Sequence, residues 1–326
     1  MGKSMCTKLS VTKTRILRVV VCFLLTLNAH AFDTETFSAI NTFFKKVNSN
    51  LEFTQEDIRL FDQNKTLSSF VTHKNQIQLP YFIFKSEKPT DEYVLYVGGI
   101  HADEFAPLYF SLQYLMEILN NPSNFNFQKN IIFIPLLDID GFLSGIKKRD
   151  YPFRHNGEGI DLNRSFYAFD QLPNYQSTPE NELVIHLIKK YAPKFWVIPH
   201  SSINILDFDG KKDEIATKWL DDVFQATTAR GGEAIPIKDF RDYAPPRSKT
   251  NWSIGKLANH LDNVYSLTYE FSGPGEYPAP NDPNRYEIIT RRKQLGRFED
   301  TAWIAELYFN HYLHSMNVAL FIEDQF

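Results

Sequence analysis

The apolar runs Tyr93–Val97, Ile131–Leu137, Phe195–Pro199 and Tyr265–Phe271 set what this chain can fold into. Each is short, rich in β-branched and aromatic residues, and ends beside Gly, Asp, His or Glu. Between them, apolar residues fall at helical spacing, as in Leu108, Leu112, Leu115, Met116 and Leu119. Buried strands alternating with amphipathic helices predict a layered α/β domain with functional loops at the strand ends. Helices are expected over Pro107–Leu119, Glu180–Tyr191, Lys211–Thr228 and Asp300–Ser315, and a further strand over Tyr81–Phe84. A helix-like stretch from Thr34 to Gln63 belongs to a lead-in, residues 32–80, ahead of the main body of a single domain spanning 32–326.

Residues 1–31 read as an address. Lys3, Lys8, Lys13, Arg15 and Arg18 give a basic start, Val19–Leu27 an apolar core, and Ala29-His30-Ala31 a small-x-small cleavage site. The apolar run is far short of the roughly 20 residues that span a bilayer. The expectation is a cleaved signal peptide, no stable membrane insertion afterwards, and a periplasmic or secreted protein. Both cysteines, Cys6 and Cys22, lie in this segment, so the chain after it draws its stability from its core and not from disulfides. A formal net charge of −4 and a pI near 6.2 argue against a nucleic-acid partner, which calls for a basic surface.

Chemistry-bearing residues collect where the strands end. His101 and Glu104 lie in the turn after Tyr93–Val97, behind Gly98-Gly99. An imidazole and a carboxylate three residues apart can bend toward one Zn²⁺, and a catalytic zinc takes three such ligands, leaving a position for water. The same pair also occurs on solvated loops, so downstream residues decide. His200 ends its strand as His101 follows its own, which makes it the candidate third ligand. Glu270 is a carboxylate in an apolar strand, suited to a general base or to a structural ion pair. In the loop Arg154 to Phe166, Arg164 with the Asn163 amide can clamp a carboxylate, and Arg154 can face the carbonyl under attack; solvated arginines read the same way.

Taken in order, His101-x-x-Glu104, Asp161-Leu162-Asn163-Arg164, His200 and Glu270 resemble the M14 (funnelin) zinc carboxypeptidases, over about Tyr93 to Gly273. The resemblance implies a mixed, mostly parallel central sheet flanked by helices. It implies one Zn²⁺ held by His101, Glu104 and His200, with Asp161 orienting His101. Asn163 and Arg164 would hold the substrate carboxylate, Arg154 would polarise the scissile carbonyl, and Glu270 would be general base and acid. Tyr243 lies where many members carry a tyrosine that closes over substrate. Ala102 replaces the glycine of short bacterial members, and Ser201-Ser202 follows the third ligand where Pro or Thr is frequent; neither change removes a catalytic group.

The expected activity is hydrolysis of a peptide bond next to a free carboxylate, by zinc-activated water with a Glu base. Export and the acidic, cysteine-free chain look most like bacterial members that trim cell-wall muropeptides. The alternatives are removal of C-terminal L-amino acids from ordinary peptides, deacylation, and a peptide-binding pseudoenzyme.

Overall fold

The computed structural model describes residues 65–67, 71–72, 78–79, 81–139, 141, 154–167, 178–229, 252–272 and 309–324. All lie within one compact unit, Asn50–Phe326. The leader, the Thr34–Gln63 stretch and Tyr243 fall outside the described residues.

In chain order the strands are β1 (Lys65–Leu67), β2 (Val71–Thr72), β3 (Gln78–Leu79), β4 (Phe82–Phe84), β5 (Tyr93–Val97), β6 (Phe125–Phe127), β7 (Asn130–Ile134), β8 (Phe195–Gly210), β9 (Tyr265–Ser272) and β10 (Ile322–Asp324). The helices are α1 (Phe105–Asn120), α2 (Pro179–Tyr191), α3 (Glu214–Ala229), α4 (Ile254–His260) and α5 (Phe309–Ala319). A 6-stranded sheet runs in the order β1-β4-β7-β5-β8-β9. Its β7, β5, β8 and β9 are parallel, and β4 and β1 are antiparallel additions. This is the mixed, mostly parallel sheet the sequence led us to expect. No helix among the described residues is long and apolar enough to cross a membrane.

Local chemistry explains the helix limits. Thr178 caps α2 by accepting from the Asn181 N–H, Pro179 takes the first turn, Glu180 and Glu182 sit at the positive end and Lys189 and Lys190 at the negative end. The helix stops at Ala192, which turns left-handed at φ 45°. Ser253 caps α4 in the same way, accepting from the Lys256 N–H. Glu104 stands at the N-cap of α1 but makes no side-chain cap, because its carboxylate is used elsewhere.

Strand β8 is far longer than the expected Phe195–Pro199. Its first arm runs parallel to β9, with Phe195 opposite Tyr265 and His200 opposite Glu270. After Ser202 the partners run backwards, from Ile205 opposite Glu270 to Gly210 opposite Tyr265. A strand has one hydrogen-bonding edge on each side, so the two arms of β8 flank β9 on opposite edges. The acids Asp207 and Asp209 interrupt the apolar pattern of the second arm and conceal it in the sequence. The arms bring one set of side chains to one sheet face: His200, Glu270, Ile205, Thr268 and Asp207. The opposite face carries Tyr269 and Phe271, which pack on Tyr312 of α5 and Phe110 of α1; the Phe271 and Tyr312 rings stack at 3.9 Å.

Where β5 ends, pairing continues into the loop that delivers His101. Gly98 N donates to Ile134 O at 2.8 Å, Leu137 N to Gly98 O at 2.9 Å, and Asp138 N to Gly99 O at 2.8 Å. A Cβ on Gly98 would lie 2.6 Å from Pro135 O and 2.5 Å from Ser111 Oγ, and Gly99 sits at φ +59°. The backbone on that side cannot yield. Gly98→Ala is therefore expected to lower unfolding free energy by about 1–3 kcal/mol, read from urea denaturation; an unchanged midpoint would show that the loop relaxes freely.

Candidate metal centre

The turn after β5, the end of the first β8 arm and a short loop converge on Glu104. Its Oε1 lies 2.7 Å from His101 Nδ1, and its Oε2 lies 2.8 Å from His200 Nδ1. Oε2 also accepts from the Ser201 backbone N–H at 3.1 Å. One ligand atom from each of His101, Glu104 and His200 falls within a 4.8 Å cluster. All three residues are buried. Two imidazole nitrogens and a carboxylate oxygen are the donor set that suits zinc, and three protein ligands are what a catalytic zinc uses.

The outer nitrogens of both imidazoles meet the turn Leu162–Arg164 and its cap Asp161. Asp161 Oδ1 is 3.2 Å from His101 Nε2, and Asn163 Nδ2 is 3.3 Å from His200 Nε2. Asn181 of α2 holds this turn, donating to Leu162 O and Ser165 Oγ, while Phe166 N donates to Trp252 O beside α4. Arg154 Nε donates to Asp161 Oδ2 at 2.9 Å. Its Nη1 lies 3.4 Å from His101 Nδ1 and 3.6 Å from Glu104 Oε1, so the guanidinium stands directly over the donor atoms. Arg164 is exposed, with Nη1 donating to the Asn163 carbonyl at 2.7 Å.

Electrostatics separate the groups. Burial works to raise the Glu104 carboxyl, but the charges and hydrogen bonds of His200 and His101 hold it far below the usual carboxylate range. Burial would lower His101, yet Glu104 and Asp161 outweigh it and lift the imidazole to about 9. For His200 burial prevails and its pKa falls. Asp161 is held well below the usual range: burial opposes this, and the His101 hydrogen bond leads the effects that overcome it. Glu270 behaves oppositely. Burial, followed by the negative charge of Glu104, pushes it up to about 8, with Asp207 adding to the rise. Its Oε2 is buried without a hydrogen-bond partner among the described residues. A carboxylate left unpartnered beside a cation-binding cluster, and outside its ligand set, is placed to act on something else that enters the site.

His101, Glu104, His200, Asp161, Arg154 and Asn163 are linked by direct contacts, and Glu270 is the sheet partner of His200. Two features went unread. Asp207 reaches the site only because β8 doubles back, and the Ser201 N–H is a backbone donor with no side-chain signature.

Residues 62–190 match the family model for zinc carboxypeptidases, Peptidase M14. Members of that family are zinc-dependent metallocarboxypeptidases and hence hydrolases, and the matched segment contains His101, Glu104, Arg154 and Asp161–Arg164. The sheet then adds His200 and Glu270 from beyond it. Among solved structures, bovine thrombin-activatable fibrinolysis inhibitor, in complex with tick carboxypeptidase inhibitor, is similar with a TM-score of 0.56 at 14% identity, covering 83% of this chain and 98% of that one. Carboxypeptidase A from Helicoverpa armigera is similar at 0.52 and 14%, covering 85% and 81%. A metallo-carboxypeptidase from Burkholderia cenocepacia is similar at 0.51 and 12%, covering 79% and 66%. At these identities the likeness is one of fold. No curated protein matches the chain.

Zinc added to chelator-stripped protein near pH 7 is expected to displace about two protons, one from His101 and one from Glu270, both of which hold theirs at that pH. Calorimetry in buffers of different ionisation enthalpy reads this number, and Glu270→Gln should lower it by about one. Equal release from both chains would remove Glu270 from the cation's field. His200→Ala should lose the metal altogether, measured as zinc stoichiometry.

Proposed function

We propose that this chain is an exported zinc metallocarboxypeptidase that hydrolyses a peptide bond next to a free carboxylate in peptidoglycan stem peptides. The observation that carries the hydrolytic part is Glu270, unpartnered at Oε2 and paired across the sheet with a residue of the zinc-type donor set. Zinc held by His101, Glu104 and His200 supplies Lewis acidity toward water and the scissile carbonyl. Glu270 accepts a proton from the attacking water as its oxygen bonds to the carbonyl carbon. It returns that proton to the amine nitrogen as the carbon–nitrogen bond breaks. Arg154, whose guanidinium already lies over the donor atoms, offers N–H groups to the carbonyl oxygen as negative charge builds on it.

Arg164 holds the substrate carboxylate through its exposed fork. The leader-like start, the acidic balance and the cysteine-free remainder support a cell-wall peptide substrate, with cleavage at the D-Glu-γ-diaminopimelate or the diaminopimelate-D-Ala bond. The test incubates the purified protein with muropeptide tri-, tetra- and pentapeptides, with chelator and with zinc restored, and follows products by mass spectrometry. Chelator-sensitive release of diaminopimelate or D-Ala is expected. Cleavage of ordinary C-terminal L-peptides alone would replace the substrate class, and zinc binding without any cleavage would make the chain a peptide-binding pseudoenzyme.

Glu270→Gln is expected to keep zinc and lose kcat by about 10²–10⁴-fold. Arg164→Ala should weaken kcat/KM for substrates with a nearby free carboxylate far more than for their amidated forms, and equal losses would make it a structural arginine.

A further inference from the structure

The second arm of β8 sets an acid among buried apolar residues, with Ile205, Leu206 and Phe208 around Asp207. Asp207 lies opposite Thr268, and Ile205, two residues before it, lies opposite Glu270. Residues opposite one another share a face, so Asp207 stands on the Glu270 face, about 7 Å along the strand. It is 8% exposed, and its negative charge adds to the rise of the Glu270 pKa. The next acid on that face, Asp209, is engaged by α4, accepting from Asn259 Nδ2 at 2.5 Å. Polar groups line β9 beside the two acids. Thr268 and Glu270 keep partial exposure, while Ser266, opposite Asp209, is fully buried. Ser266 Oγ and Glu270 Oε2 both lack a hydrogen-bond partner among the described residues. Unsatisfied polar atoms at both ends of this stretch mark a face whose bonding a polar ligand can complete.

We propose that Asp207 is a specificity-determining residue that receives an ammonium on the side chain of the leaving residue, as lysine or diaminopimelate carries. The inference rests on the hydrolase reading above and narrows its substrate. In that reading Glu270 marks the scissile bond and Arg164 the carboxylate of the leaving residue. Asn163, beside Arg164, accepts from the Ile254 N–H at 3.1 Å, so the carboxylate end adjoins the start of α4. The same helix meets the β8–β9 face through Asn259. A side chain that leaves this corner runs along Thr268 to Asp207. A long flexible stem with a cationic end matches that path: its methylenes lie against Ile205 and its ammonium donates to the Asp207 carboxylate. A leaving D-Ala brings no such cation. Of the two muropeptide bonds, the D-Glu-γ-diaminopimelate bond is therefore the one selected.

The test measures kcat/KM of the zinc-loaded chain on otherwise identical peptides, in α- and γ-linked form, that end in lysine, norleucine or glutamate. Lysine is expected to exceed norleucine by about 10–100-fold, with glutamate the poorest. Asp207→Asn should bring the lysine-to-norleucine ratio close to unity, and Asp207→Glu should keep the preference. The ratio cancels any effect that the substitution exerts on both substrates through Glu270. A ratio near unity in the unaltered chain, or a preference that survives in Asp207→Asn, overturns the proposal and leaves the hydrolase reading intact. Cleavage of no peptide at all defeats the hydrolase reading instead. Calorimetric binding of the same peptides then decides the role of Asp207: tighter binding of the lysine peptide, lost in Asp207→Asn, supports it, and equal binding overturns it. Should Asp207→Asn not fold, Asp207→Ser takes its place with the same outcomes.

Discussion

A single carboxylate shared between two imidazoles organises this protein. Withdrawing an ion such as Glu104 from water costs several kcal/mol unless its oxygens find strong partners. Here both do: His101 Nδ1 at 2.7 Å on one oxygen, and His200 Nδ1 at 2.8 Å with the Ser201 N–H at 3.1 Å on the other. The positive end of α1 adds to this, since Glu104 is its N-cap residue. Because the partners come from the turn after β5 and from the end of the first β8 arm, the carboxylate pins two sheet-borne loops at one spot. Asp161 Oδ1 and Asn163 Nδ2 lie against the outer nitrogens of the two rings.

That arrangement depends on the sheet being interior where the chemistry lies. A strand at a sheet edge leaves half its backbone groups to solvent. The second arm of β8 removes that edge by pairing with β9 along its length, from Ile205 opposite Glu270 to Gly210 opposite Tyr265. The backbone of Glu270 is thereby held between His200 and Ile205. The same closure buries it, which is why its proton is retained up to about 8.

The ligand set and the parallel core were legible in the sequence because each is local. His101 and Glu104 share one turn, and the strands Tyr93–Val97 and Phe195–His200 are apolar runs that stop at a functional residue. What stayed hidden is long-range. The second arm of β8 mixes Asp207 and Asp209 into its pattern, and only its pairing with Thr268 and Ser266 makes it a strand. The short β10, Ile322–Asp324, exists because β6 offers it an edge. Asn163 reads as a carboxylate donor from its neighbour Arg164, and its contacts with His200 and Ile254 depend on a separation of 37 and 91 residues that no local pattern encodes.

Glu104 and Asp161 are held ionised, Arg154 is positive, His101 keeps its proton up to about 9, and Glu270 keeps its own up to about 8. Asp207, whose negative charge also bears on Glu270, leaves the cluster with an excess of negative charge that suits it to a cation. A divalent cation among them would add two positive charges and favour loss of the protons on His101 and Glu270. The first loss frees a ligand nitrogen. The second turns Glu270 into a base. Filling the metal position would thus favour the form of Glu270 that accepts a proton from water.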